Sequence, residues 1–173
     1  MNKKWKLRAS ITRSRRDFTS PFDARDAEQV GWSLSTHHDL GKRVALRFTL
    51  AEDRTSTDTV VELGVPMDRS HSDDHVALDL DFNLHHGFSL ASSLALSRRE
   101  FTTDETLDTS HYGRVDRLTE IGIDLGRKLG PRWSLAFASS WTSNDANRVS
   151  PSLPDDEYGY EDVILGLTAA FKK

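Results

Sequence analysis

A fourfold repeat of alternating residues constrains the fold of this chain more than any other feature. Four segments begin with a basic residue or glycine, followed by a large apolar residue, any residue and leucine: KWKLRASI (4–11), RVALRFTL (43–50), GFSLASSL (87–94) and RWSLAFAS (132–139). Their starts lie 39, 44 and 45 residues apart. A period in this range indicates a repeated supersecondary unit, and the alternation of apolar with small or polar residues predicts β-strands.

Each repeat carries a second alternating segment: VGWSLST (30–36), VALDLDFNL (76–84), LTEIGIDLG (118–126) or VILGLTAAF (163–171). Short breaks, HHDLGKR, LHHG and KLGPR, separate the repeats and are typical of hairpin turns. Longer polar links cover residues 18–27, 53–74, 101–115 and 143–160, and we assign VVELGV (60–65) to the second of them. Because eight is even, the first and last strands can pair antiparallel. The pattern predicts one domain, residues 1–173: an eight-stranded antiparallel up-and-down transmembrane β-barrel with four long loops on one side and three tight turns on the other.

The two faces of these strands differ in side-chain size. One face is large and apolar, as in Leu7, Trp32, Phe48 and Leu90. The other is mostly Ser, Ala, Gly and Thr, which suits the narrow interior of an eight-stranded barrel and would be unusual on a surface facing water. This distribution favours a membrane barrel with the large residues toward lipid. The alternative is a soluble lipocalin-like calyx that holds an apolar ligand.

The few charges on the small-residue face have both signs. Because buried charges require partners, we predict a lumen charge network. Within it, we expect a contact between Arg47 and Asp81 on neighbouring strands. The network comprises Arg8, Arg47, Asp79, Asp81, Glu120 and Asp124.

Aromatic residues near the strand ends predict two interfacial girdles, as expected of a membrane barrel. The girdle residues are Trp5, Phe88 and Trp133 on the turn side and Trp141, Tyr158 and Tyr160 on the loop side.

Composition excludes several other classes. The chain has no cysteine, which excludes disulfide scaffolds and Cys-based zinc sites. Its net charge is −4 and it has no basic stripe, so no nucleic-acid partner is expected. The sequence contains no run of about 18 apolar residues, so no membrane-spanning helix is predicted. The first residues, MNKKWKLRASITRS, have the charge of a signal n-region but not its apolar segment.

Histidines are the main candidates for chemistry. His37–His38 and His85–His86 lie beside two turns, but adjacent strand residues face opposite ways and do not converge on a metal. SHSDDH (70–75) has the residue types of a hydrolase, yet a local cluster in a loop lacks the rigid geometry of a triad. We therefore expect no enzyme activity, no metal and no cofactor.

The whole chain resembles bacterial outer-membrane β-barrel proteins of the small, eight-stranded type. VILGLTAAF is similar to their C-terminal assembly signal, with Gly166, the apolar Ala169 and the aromatic Phe171. It departs from that signal at Ile164 and in the lysines that follow Phe171. RWSLAFASSWTSNDAN and YGYEDVILGLTAAF also resemble the barrel domain of surface-lipoprotein assembly modifiers.

The resemblance implies a location in the bacterial outer membrane, with the lipid bilayer and the outer-membrane assembly machinery as partners. We expect a structural or loop-mediated binding role, because function on such a scaffold resides mostly in the loops. The alternatives are a narrow pore or a module of a transport barrel, and a lipid-modifying hydrolase.

Overall fold

Eight long antiparallel strands form a single sheet in a computed structural model that describes residues 5–17, 26–62, 64–147 and 159–171. The strands follow chain order in the sheet, β1-β2-β3-β6-β7-β8-β9-β10, so every neighbouring pair is a hairpin. In the described part of the chain, β1 and β10 are the two ends of that order. The eight long strands are β1 (Trp5–Arg16), β2 (Ala27–Asp39), β3 (Val44–Thr57), β6 (His71–Asn83), β7 (Phe88–Phe101), β8 (Val115–Lys128), β9 (Trp133–Asn147) and β10 (Tyr160–Phe171).

The all-β antiparallel architecture predicted from the alternation is confirmed, and the strands are longer than predicted. They run for 12 to 15 residues, and three of them, β3, β6 and β9, extend four or five residues into the predicted polar links. The end of the sheet at residues 40–43, 84–87 and 129–132 is called the turn end, and the opposite end the loop end. Both β1 and β10 have their outer termini, Trp5 and Phe171, at the turn end.

The tight turn between β6 and β7 uses backbone conformations that few residues adopt. A short 3₁₀ turn spans His85–Gly87, with His86 at φ 59° and Gly87 at φ 78°. A Cβ on Gly87 would lie 3.3 Å from the backbone oxygen of Lys128 on β8, so glycine serves both the turn and the packing beside it.

The segment 60–65, assigned to the second polar link, lies between β3 and β6 and outside the main sheet, but it contains regular structure that the assignment left out. Two three-residue strands, β4 (Val60–Glu62) and β5 (Val65–Met67), form a separate hairpin there. Gly64, at φ 84°, supplies the left-handed conformation that the hairpin turn requires. Val60, Val61 and Val65 are β-branched and favour extended backbone.

The sheet has almost no buried apolar interior. Among the described residues, Ala146 is the one buried hydrophobic side chain, whereas Leu7, Ile11 and Leu167 are 72%, 85% and 73% exposed. The accessible surface is 12514 Å², against about 8,500 Å² expected for a compact monomer of this mass. Folding in water would therefore leave much of the apolar surface uncovered.

Candidate functional site

Register places the small and polar side chains on one face of all eight strands, here called the polar face. One row of directly paired residues crosses the whole sheet on this face. Its members, in sheet order, are Ser10, Ser33, Ala51, His75, Ser97, Leu118, Asn144 and Tyr160. The strand alternation thus keeps its phase across every hairpin, as the sequence pattern predicts.

The polar face is concave at the loop end. A cavity of about 590 Å³, here called the loop-end cavity, is lined by residues from β3 through β10, including Ala51 at one side and Tyr160 at the other. Residues five strands apart in the sheet can share a cavity only if the sheet curls around it. The polar face is therefore the inside of the curved sheet.

Two arginine–aspartate pairs lie in the loop-end cavity. Arg99 on β7 donates to both carboxylate oxygens of Asp73 on β6, at 2.7 and 3.0 Å. Arg114, just before β8, donates to both oxygens of Asp116 at 2.6 Å, and both of these side chains are nearly buried. Bidentate pairs of this kind are the stronger class of charge-assisted hydrogen bond, and they fix the arginine planes.

The SHSDDH segment, predicted to lie in a loop, forms the first residues of β6 from His71 onward. Its side chains therefore alternate, with His71, Asp73 and His75 on the polar face and Ser72 and Asp74 on the other. Within the described chain, His75 Nδ1 shares a hydrogen bond with Ser97 Oγ at 2.9 Å, and His75 takes part in no ion pair. A serine–histidine pair without an orienting carboxylate lacks the third member of a hydrolase triad.

Asp108 ties two of the polar links together at the loop end. Its carboxylate is 1% exposed and accepts hydrogen bonds from the backbone N–H groups of Asp68, Ser110 and His111. His111 Nδ1 lies 2.8 Å from the same carboxylate, and the His111 ring packs against Phe101. The link before β8 is thereby joined to the link before β6.

Asp68 completes this junction. Partial burial opposes ionisation of its carboxyl, but hydrogen bonds from Ser70, Thr57 and Thr103 outweigh that effect and lower its pKa below the usual value. Asp68 Oδ1 also lies 3.2 Å from Thr57 Oγ1, at the end of β3. No periodic pattern in the sequence marks Asp68 or Asp108, and both were missed.

The predicted lumen charges lie on the polar face toward the turn end, but the expected contact between Arg47 and Asp81 is wrong. Arg47 is paired in register with Asp79 and lies 3.9 Å from it, whereas Asp81 faces Ala45. Strands β3 and β6 are joined by the long link that contains β4 and β5, so no tight turn determines their register, and the partner lies one pleat from the expected position. The Arg47–Asp79 pair is also largely exposed, at 55% and 35%.

The other predicted lumen charges fall in separate rows of the sheet. Arg8 shares a row with Glu120, and Asp81 shares a row with Asp124 across the intervening Ala91. In the part of the chain that the structure describes, none of these four forms an ion pair. Arg8 on β1 and the acids Glu120 and Asp124 on β8 are therefore separated by most of the curved face, whereas Arg47 and Asp79 lie on neighbouring strands.

The opposite face, here called the apolar face, carries large side chains in register. One of its rows is apolar on every strand except β2, where Thr36 stands. The row consists of Leu7, Thr36, Phe48, Leu78, Leu94, Ile121, Trp141 and Val163. The two adjoining rows are each apolar on five of the eight strands, with His38, Ser92 and Ser139 in one and Thr119, Ser143 and Glu161 in the other. The apolar residues together form a band that crosses the sheet and is interrupted by a few polar side chains.

At the turn end, the aromatic residues predicted for one girdle lie on the apolar face and make local contacts. Trp5 stacks on His38 at 3.9 Å, and Trp133 lies 4.9 Å from the ring of Phe171. Phe88 lies under the guanidinium of Arg127, at 4.7 Å. The last residue of the predicted assembly signal, Phe171, is therefore part of this turn-end aromatic group, while Gly166 faces Ala138 on the polar face.

The predicted loop-side girdle does not form as expected. Tyr160 lies on the polar face and lines the loop-end cavity, because it is paired with Asn144 of that face. Val163 lies three residues later in the same strand and therefore points to the apolar face. Trp141 lies on the apolar face, six residues before the end of β9. Tyr158 lies outside the described residues. Trp32 is an aromatic residue that the predicted girdle did not include. Its indole N–H donates to Glu52 at the loop-end edge of the apolar band.

Searches within the described residues and among known proteins add little to this geometry. No group of three or more His, Cys, Asp or Glu side chains in the described ranges could hold a metal ion. No described helix is long and apolar enough to span a bilayer. Comparison with protein-family models, with curated proteins and with solved structures found no match to this chain.

Proposed function

We propose that this protein is an integral β-barrel of a bacterial outer membrane, with a structural or loop-mediated binding role. In this proposal β1 and β10 pair to close the sheet, the apolar face contacts lipid and the polar face fills the lumen. The loop end supplies the surface that contacts other molecules.

The observation that carries the proposal is the apolar band, which continues across all eight strands. On β7 it runs from Phe88 to Leu96, about 26 Å along the strand at ~3.3 Å per residue. At a tilt of ~40° this corresponds to a height of about 20 Å, close to the ~25 Å apolar band of outer-membrane barrels. Because such side chains are stabilised only when removed from water, an exposed band of this extent calls for a lipid environment.

The band ends abruptly in charged residues toward the loop end. On three neighbouring strands, the residues after the last apolar positions are Glu52, Asp74 and Arg98. Arg98 pairs with Asp74 at 3.9 Å and with Glu100 at 2.7 Å, and Glu52 pairs with Arg54 at 3.0 Å. Paired charges that directly follow an apolar band on its loop-end side are expected where a barrel leaves the hydrocarbon and enters the polar interface.

The two edge strands support closure. Strands β1 and β10 each have 12 residues and run in opposite directions through the same sheet. A long exposed edge with apolar side chains such as Leu7 and Leu165 invites aggregation, and closure removes both edges at once. The strong curvature at the loop-end cavity brings the sheet part of the way to that arrangement.

The same face assignment disfavours the soluble calyx. A calyx that holds an apolar ligand needs the large apolar side chains on its concave side. In the described sheet, most of the side chains that line the cavities of the concave side are small, polar or charged, with Leu118 and Tyr160 as exceptions, while Leu7, Ile11 and Leu167 point outward.

Detergent dependence tests the membrane assignment. We expect the protein to aggregate without detergent, to refold in micelles and to migrate on a gel at different positions before and after boiling. Quenching by lipids brominated in their acyl chains should reach the tryptophans of the apolar face. A monodisperse monomer in plain buffer would refute the proposal.

Disulfide cross-linking tests closure, since the chain contains no native cysteine. We would combine Ala9→Cys on β1 with Leu165→Cys, Leu167→Cys or Ala169→Cys on β10, all on the apolar face. One pair should oxidise readily, because paired strands bring Cα atoms within the 4.4–6.8 Å that a disulfide spans. Ala9→Cys with Leu94→Cys, on the distant strand β7, is the control. Failure of all three β1–β10 pairs in folded protein would show an open sheet.

A further inference from the structure

The loop-end cavity contains one charge that the described protein does not neutralise. Five side chains with a formal charge at pH 7 line it, and four of them form the pairs Asp73–Arg99 and Arg114–Asp116. The fifth is Asp53 on β3, which makes no hydrogen bond or ion pair within the described ranges. Two arginines against three aspartates leave the cavity wall with a formal charge of −1.

The position of Asp53 depends on a glycine in the neighbouring strand. Asp53 is paired with Asp73 on one side and with Gly31 on the other. Like charges directly opposite each other repel, and the Asp53 carboxylate leans over Gly31, where a Cβ would lie only 1.7 Å from its Oδ1. The space above Gly31 therefore holds the carboxylate at the side of the cavity, away from both arginines.

The remaining wall combines apolar surface with an aromatic ring. Ala51 and Leu118 line the same cavity as Tyr160, whose ring lies at its far side, on β10. The volume, about 590 Å³, is within the usual range for small-molecule sites. A carboxylate at one side of a cavity and apolar and aromatic surface at the other suit a compound that has an ammonium group at one end and an apolar group at the other.

We propose that the loop-end cavity binds a small organic monoammonium compound, with its ammonium on Asp53 and its apolar part against Leu118 and Tyr160. The paired arginines exclude a second cationic group and are not free to hold an anion. The site goes beyond the membrane barrel proposed above. It uses one face of the described sheet, so its test does not depend on the bilayer.

Three probes of the same shape and different charge test the proposal: phenethylammonium, 2-phenylethanol and phenylacetate. Each would be titrated at pH 7 into the full chain folded in detergent micelles, with binding followed by calorimetry and by NMR shifts. Phenethylammonium should bind roughly tenfold or more tightly than 2-phenylethanol, because the hydroxyl of the neutral probe can still donate a hydrogen bond at residue 53 but lacks the charge–charge attraction to the carboxylate. Phenylacetate should not bind.

Two isosteric variants distinguish binding of the probe at this site from partitioning of the probe into the micelles. Asp53→Asn removes the charge and should weaken phenethylammonium binding about tenfold, while leaving 2-phenylethanol unchanged. Asp74→Asn, on the apolar face of β6, is the matched control and should bind like the parent. Circular dichroism confirms that each variant is folded.

Equal affinity for the charged and neutral probes, or an unchanged affinity in Asp53→Asn, would overturn the proposal, as would absence of binding to the parent. If the protein proves soluble, the same titrations are carried out without detergent. Failure of the membrane assignment and failure of the ammonium site are therefore distinguishable.

Discussion

The two ends of the polar face hold their charges in different ways. At the loop end, Asp73, Arg99 and Asp116 are consecutive members of one row, so opposite charges meet on neighbouring strands. At the turn end, Arg47 on β3 lies 3.9 Å from Asp79 on the neighbouring β6, whereas Arg8 on β1 and the acids on β8 are five strands apart in the sheet. Among the described residues, the loop end therefore holds two bidentate pairs and the unpaired carboxylate of Asp53, and the turn end holds one long ion pair and charges that form none.

This difference shows which parts of the polar face depend on closure. Pairs between adjacent strands form as soon as their hairpin forms, whatever the rest of the sheet does. Arg8 on edge strand β1 can meet an acid such as Asp124 only if β1 approaches the far side of the sheet. Strands β9 and β10 carry small residues such as Ala138 and Gly166 on this face, and these leave room for a long side chain from β1.

The largest expected effect comes from breaking a loop-end pair. Asp116→Ala leaves the nearly buried Arg114 guanidinium without its bidentate partner, which should lower the free energy of unfolding by about 3 kcal/mol. Arg47→Ala at the turn end breaks a more exposed pair with a 3.9 Å separation and should cost under about 1 kcal/mol. Urea denaturation in micelles, followed by tryptophan fluorescence, measures both. Equal losses would show that the two ends do not differ.

A glycine substitution at each end gives a smaller contrast. Gly31→Ala places a Cβ 2.9 Å from the backbone oxygen of Glu52 as well as against Asp53, and such overpacking should cost about 1–3 kcal/mol. At Gly166, in the row of Asp81 and Asp124, the nearest atom is the Ala138 Cβ at an ordinary 3.9 Å. Gly166→Ala should therefore be nearly neutral. The same denaturation measurement checks both, and a larger loss at Gly166 would contradict the assigned register.

The smallest effect is a dependence on pH confined to the loop end. Because the folded-state pKa of Asp68 is lowered below its ordinary value of 3.8, its ionisation stabilises the junction fully above that value. The contribution is lost as the pH falls below 3.8 and through the folded-state pKa. Hydrogen exchange at Asp68 and Ser70 should therefore accelerate in acid more than exchange in the turn-end strands. Asp68→Asn should remove this excess, and an excess that persists would assign it to another carboxyl.

Alternation in the sequence predicts the strands, their order and the composition of the two faces, because parity alone determines which side a strand residue occupies. Exact pairing is less accessible: the expected Arg47–Asp81 contact fails by one pleat, because a long link and not a tight turn joins β3 to β6, and such a link does not determine the register from its sequence. Tyr160 was grouped with aromatic residues of the other face because nearness to a strand end was considered and parity was not. The Asp53 and Asp108 contacts could not be predicted, since they arise from a neighbouring glycine and from two links far apart in sequence.

The Asp108 junction has a consequence for how this scaffold could change. The links before β6 and β8 share one carboxylate, so replacing either link alone leaves donors such as the N–H of Asp68 without an acceptor. The two segments should be exchangeable only as a pair, during evolution or in grafting. A library that diversifies residues 58–70 and 102–114 jointly should retain far more folded members than one that varies either segment against a constant partner.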